Sequence, residues 1–104
     1  MIKSSNTFQT IAKTVAVPGT AERVSAFYVP EGSIVSVTAR ISNAANMYIA
    51  ETQVKAQSGA RKVLVPGQSR EYRVSNTAFL WVDADDATDV LEVSIEGEVS
   101  GSNP

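Results

Sequence analysis

Residues 35–41 read Val35-Ser36-Val37-Thr38-Ala39-Arg40-Ile41. Apolar Val35, Val37, Ala39 and Ile41 alternate with polar Ser36, Thr38 and Arg40, the period of two that a half-buried β-strand requires. The same pattern returns at 91–96, where Leu91, Val93 and Ile95 alternate with Glu92, Ser94 and Glu96. Working outward from these two segments, shorter β-rich runs cover 10–17, 23–29, 47–50, 52–56, 62–65, 70–74 and 78–84. Val, Ile and Thr fill them, and none carries a sustained helical period. Between the runs lie Pro18-Gly19, Pro30-Glu31-Gly32, Ser42-Asn43, Ser58-Gly59, Pro66-Gly67, Ser75-Asn76 and Asp85-Asp86. Each is a chain-reversing pair or triplet, and their spacing is that of a sandwich or barrel. The expectation is an all-β chain: a single-domain, antiparallel, jelly-roll-like β-sandwich of eight or nine short strands with essentially no helix. The domain spans 1–104, with short polar tails at 1–6 and 100–104.

Composition narrows the chemistry. The chain has 104 residues, 43% hydrophobic and 19% charged, enough to bury one core without a covalent staple. Nine Lys and Arg against eleven Asp and Glu leave a net charge of −2, so no broad positive field exists to hold a phosphate backbone and no nucleic-acid partner is expected. With neither histidine nor cysteine, the chain lacks imidazole bases, thiolate nucleophiles, Cys/His zinc sites and disulfides. No apolar run reaches the ~18 residues of a membrane helix, and Met1-Ile2-Lys3-Ser4-Ser5-Asn6 lacks a signal-peptide core. A protein made in the cytoplasm, with no membrane partner, is the expectation.

Five sets of residues are candidates for a site. Asp83, Asp85 and Asp89 offer oxygen ligands for a hard cation. Their loop lacks the turn glycine and the closing glutamate of an EF-hand, and a solvated hairpin loop is the simpler reading. Glu92, Glu96 and Glu98 share a strand face and suggest a glycosidase pair, but the outward face of a half-buried strand explains them better. The hydroxyls have no histidine to activate them. No catalytic residue, metal or cofactor is therefore expected, and the chain reads as a non-enzyme. Phe79 and Trp81 share one face of the strand at 78–84, with Leu80 and Val82 on the other. Either that strand is central and covered on both sides, or one face is an apolar patch for another chain. Phe27-Tyr28-Val29 poses the same choice. Phe8 and Ile11, beyond the polar lead, form either a partner-contacting arm or a first strand within its own sheet.

Several segments together resemble a known group. Thr14-Val15-Ala16-Val17 precedes Pro18-Gly19-Thr20-Ala21, and Val29-Pro30-Glu31-Gly32 precedes Ile34-Val35-Ser36-Val37-Thr38-Ala39. After these come Asn46-Met47-Tyr48-Ile49-Ala50, Leu64-Val65-Pro66-Gly67-Gln68-Ser69 and Leu80-Trp81-Val82-Asp83-Ala84-Asp85. In order and spacing this resembles small β-sandwich virion proteins of tailed bacteriophages, which serve as capsid decoration (cement) proteins or head-associated proteins. The chain departs from that group at Ala50 and Ala87, where members often carry glycine. The resemblance implies a structural protein of a bacteriophage particle. It would act as a decoration protein on the capsid surface of the virion, with the major capsid protein as partner and a homo-oligomer, a trimer above all, as its working form. Phe8, Ile11, Phe79 and Trp81 are the expected partner contacts. The alternative is a glycan- or receptor-binding module of a head fibre or tail.

Overall fold

The computed structural model describes residues 8–97; the polar tails expected at 1–6 and 100–104 lie outside the described residues. Eight strands follow one another: β1 (Phe8–Thr14), β2 (Glu22–Arg23), β3 (Ile34–Ala39), β4 (Met47–Ala50), β5 (Lys62–Leu64), β6 (Ser69–Tyr72), β7 (Trp81–Ala84) and β8 (Val90–Glu96). A four-residue helical turn, α1 (Gln53–Ala56), joins β4 to β5, and a 3-10 turn (Thr77–Phe79) precedes β7.

The strands form two four-stranded antiparallel sheets, β1-β8-β3-β6 and β2-β7-β4-β5. The first strand pairs with the eighth, the second with the seventh, the third with the sixth and the fourth with the fifth. This is one long hairpin rolled on itself, and the rolling adds the β3–β8 and β4–β7 pairs. The result is the double-sheet jelly roll, as expected from sequence. Val35, Val37 and Ala39 of β3 meet Leu91, Val93 and Ile95 of β8 across the interior from Met47, Ile49, Val82 and Ala84. Each of the Val, Leu, Ile and Met side chains contributes about 1.5–3 kcal/mol by leaving water.

Local chemistry places the turns. Val17-Pro18-Gly19-Thr20 and Val65-Pro66-Gly67-Gln68 close with N–H···O=C bonds of 3.0 and 2.9 Å between their first and last residues. Gly19 and Gly67 sit at φ +90° and +89°, which in type II turns only glycine adopts freely after proline.

Three local expectations are corrected. Ile41 was expected inside with Val35, but it is 83% exposed. The strand ends at Ala39 because Asn43 N–H turns back to the Arg40 carbonyl at 2.9 Å. Residues 52–56 were expected as strand and instead form α1, started by Thr52, whose hydroxyl accepts from Lys55 N–H. The run 23–29 keeps only Arg23, the second residue of β2, and a bridge from Tyr28 to Asn76. This segment carries the chain from one sheet to the other, with Val24 and Val29 driven into the core at its two ends.

Candidate functional site

Every strand is antiparallel to its neighbours, so all connections from an even to the next odd strand gather at one end of the sandwich. The β2–β3, β4–β5 and β6–β7 connections meet there. Tyr28 on the first is 72% exposed, Phe79 on the last is 56% exposed, and Val54 of α1 is exposed as well. Aromatic side chains such as Tyr28 and Phe79 ordinarily bury about 150–250 Å² each.

The loops that present them are braced. Thr77 is fully buried. Its hydroxyl oxygen accepts from Phe27 N–H at 2.8 Å and donates to the Ser25 carbonyl, while Thr77 N–H donates to the Phe27 carbonyl at 3.1 Å. Val29 N–H donates to the Ser75 carbonyl at 2.9 Å, and the Asn76 side chain caps the 3-10 turn through Ala78 N–H at 2.8 Å. These bonds cross-brace the two loops, so Tyr28 and Phe79 are held out in water by the folded backbone.

Beside Phe79 a cleft of about 300 Å³ opens between the sheets, walled by Ile49, Ala50, Tyr72, Val74 and Leu80 with Lys62 in its lining. Burial pushes the Tyr72 hydroxyl above the ordinary tyrosine range, and its oxygen meets no hydrogen-bond partner among the described residues; nor does Nε of Arg70. Tyr72→Phe is expected to raise unfolding stability by about 1 kcal/mol, because it removes a polar atom that folding desolvates. Chemical denaturation checks this, and a loss of stability would show that the hydroxyl has a partner in solution.

The expected contact residues separate. Phe79 ends the 3-10 turn at the exposed end, but Trp81 lies on β7 beneath α1 and the β1–β2 loop. It packs with Ala21, Ala50 and Ala56, and the Arg23 guanidinium stands 4.8 Å from its ring. Ile11 lies within β1 and packs against the core. Phe8 begins the same strand opposite Glu96; its side chain lies outside the described residues. Tyr28 was legible only as the middle of a run, 27–29, that is bulky at every position.

The acidic loop is not a solvated hairpin. It crosses from one sheet to the other, and Asp83 and Asp89 are both buried. Asp83 accepts from Gly19 N–H at 2.9 Å and lies 3.6 Å from the Arg61 guanidinium. Asp89 accepts from Ala44 and Ala45 N–H at 2.7 and 2.8 Å. Asp85 accepts from the Tyr48 hydroxyl, which holds that phenol above its ordinary range. Asp86 receives the Thr88 N–H and hydroxyl, and its pKa falls accordingly. Each carboxylate is engaged by a protein donor, and among the described residues no three His, Cys, Asp or Glu converge as a metal site would require.

The strand glutamates do not form a hydrolytic pair. Glu92 binds Arg40 at 2.9 Å and Glu96 accepts from Ser94; Glu98 lies outside the described residues. Four residues along a strand separate Glu92 from Glu96 by about 13 Å, beyond the roughly 5–9.5 Å of glycosidase carboxylates. The shallow trough of about 600 Å³ over this face is lined by Thr10, Thr38, Arg40, Glu92 and Ser94 among others, with no aromatic ring. Compared with family models, curated proteins and solved structures, the chain matches none of them.

Proposed function

We propose that this jelly roll is a structural protein of a bacteriophage particle, a decoration protein that docks on the outer capsid surface and strengthens it. Its partner is the major capsid protein, and its place of work is the virion. The observation that carries the reading is the braced end: Tyr28 and Phe79 stay exposed on loops locked by Thr77. Exposed aromatics on a rigid frame lose little entropy on docking, which is the property of residues that dominate binding. Trp81 is half-buried against Ala21, Ala50 and Ala56 with the Arg23 guanidinium over its ring, which leaves no open indole face for a sugar and supports assembly over the glycan-binding alternative. Self-association would multiply single contacts with the shell.

The test is co-sedimentation of the purified chain with capsids lacking it. Saturable binding is expected, and Tyr28→Ser with Phe79→Ser should weaken it by at least about tenfold. The fold should be unaltered, since exposed positions change stability by only about 0.5 kcal/mol. A chain that never pellets with shells overturns the proposal, as does inhibition of binding by free sugar.

A further inference from the structure

Strand β1 lies at the edge of its sheet, with β8 as its neighbour on one side. The phase of the ladder tells which backbone groups of β1 are already used. Arg40 N–H donates to the Val90 carbonyl at 3.1 Å, so Val90, Glu92, Ser94 and Glu96 turn their backbone groups toward β3, because these groups alternate sides along an antiparallel strand. Leu91, Val93 and Ile95 therefore bond to β1, where they face Lys13, Ile11 and Gln9. The N–H and C=O groups of Phe8, Thr10, Ala12 and Thr14 point out along the free edge and have no backbone partner among the described residues.

Folded proteins guard such edges with short strands, charges or proline. Three edges here are guarded. β2 has two residues, β5 has three and runs into Val65-Pro66, and β6 has four, including Arg70 and Glu71. β1 has seven. Its one charge, Lys13, is held by Glu22 at 2.7 Å, and that bond draws the Glu22 carboxyl below its ordinary range.

We propose that β1 pairs with β1 of a second copy of this chain, antiparallel across a two-fold axis through Ile11, joining two four-stranded sheets into one. The strand is self-complementary in this register. Phe8 falls opposite Thr14, Gln9 opposite Lys13 and Thr10 opposite Ala12, so no like charges meet; an axis through Lys13 would set two ammonium groups against each other. Thr10 and Ala12, whose groups point outward, form the hydrogen-bonded pairs. Ile11 meets its copy at the non-bonded position, with Cα atoms about 4.5 Å apart. Ile11 is half-buried against the core, and the second Ile11 covers the rest. A threefold ring would need β1 to pair with a different edge of the next copy, and the short, charged β6 is a poorer match.

The chain has no cysteine, so Ile11→Cys introduces a single thiol. At about 4.5 Å between Cα atoms a disulfide fits, and mild oxidation of the purified variant is expected to give a covalent dimer, while Ala87→Cys, in the β7–β8 loop and away from the two-fold axis, gives no cross-linked dimer. Ala12→Pro removes an outward N–H without touching the β1–β8 ladder, so it should weaken self-association by about tenfold or more in sedimentation equilibrium with unchanged circular dichroism. Failure of Ile11→Cys to cross-link above the Ala87→Cys background overturns the pairing, as does a trimeric mass or an Ala12→Pro variant that associates like the parent. All these readings are made on the chain alone, so a failure to bind shells would leave them standing.

Discussion

Replacing Asp83 with alanine is expected to lower the unfolding free energy by about 3 kcal/mol, because a buried acceptor is lost to backbone amides and a partly buried guanidinium loses its counter-charge. Asp83 is 2% exposed and serves three groups at once, the Ala84 N–H at 2.8 Å among them. Gly19 N–H donates to it at 2.9 Å, which pins the β1–β2 loop over the outer face of the second sheet. Arg61, 3.6 Å away, stacks 3.5 Å from the Tyr48 ring centroid and donates to the Ala56 carbonyl at 3.1 Å, which ties down the end of α1. Alanine would leave the amide without an acceptor and the guanidinium without a counter-charge. Asp83→Asn keeps an acceptor for Gly19 and loses only the charge, so a smaller loss, about 1–2 kcal/mol, is expected. Urea denaturation of the three proteins measures both steps. A loss below about 1 kcal/mol for Asp83→Ala would mean that water satisfies these groups when the carboxylate is gone.

The second large effect is expected at Asp89→Ala, with a loss of about 2–4 kcal/mol. Its carboxylate bridges the β3–β4 loop through Ala44 and Ala45 N–H at 2.7 and 2.8 Å, from a buried position. Asn43 secures the same junction, accepting from Val90 N–H at 2.9 Å and donating to the Val90 carbonyl at 3.0 Å. Without Asp89 two N–H groups at this junction lose their acceptor. Asp86→Ala, three residues earlier, removes only two exposed local bonds, from the Thr88 N–H and hydroxyl, and should cost at most about 0.5 kcal/mol. Equal losses at 86 and 89 would contradict the assigned burial.

These two aspartates show where reading the sequence stops. Four carboxylates within 83–89 look alike in the chain, and each suits a turn. Which of them are buried depends on where Gly19, Ala44, Ala45 and Arg61 arrive, and those residues lie 22–64 positions away in the chain, with nothing local to announce them. The same limit applies to the exposed end. Phe27-Tyr28-Val29 declares that its bulk exceeds what one strand face can bury, but only Thr77, bonded to Phe27 across the fold, decides that Tyr28 is the residue left in water.

Residues 52–56 carry no helical period. Thr52 caps the turn, and Gln53 and Gln57 then bond to the Ala21 carbonyl and N–H at 3.1 and 2.8 Å. Distant partners make that local conformation the stable one.

What the sequence determined by itself was the alternation of β3 and β8, the Pro-Gly reversals and hence an all-β sandwich, because side-chain parity and glycine's access to positive φ act within a few residues. The tertiary structure alone decided the rolled pairing of first strand with eighth, the burial of Asp83 and Asp89, and the place of β1 at the edge of its sheet. Each of these depends on groups brought together from far apart in the chain, and hydrogen-bond satisfaction is settled only where the partners meet.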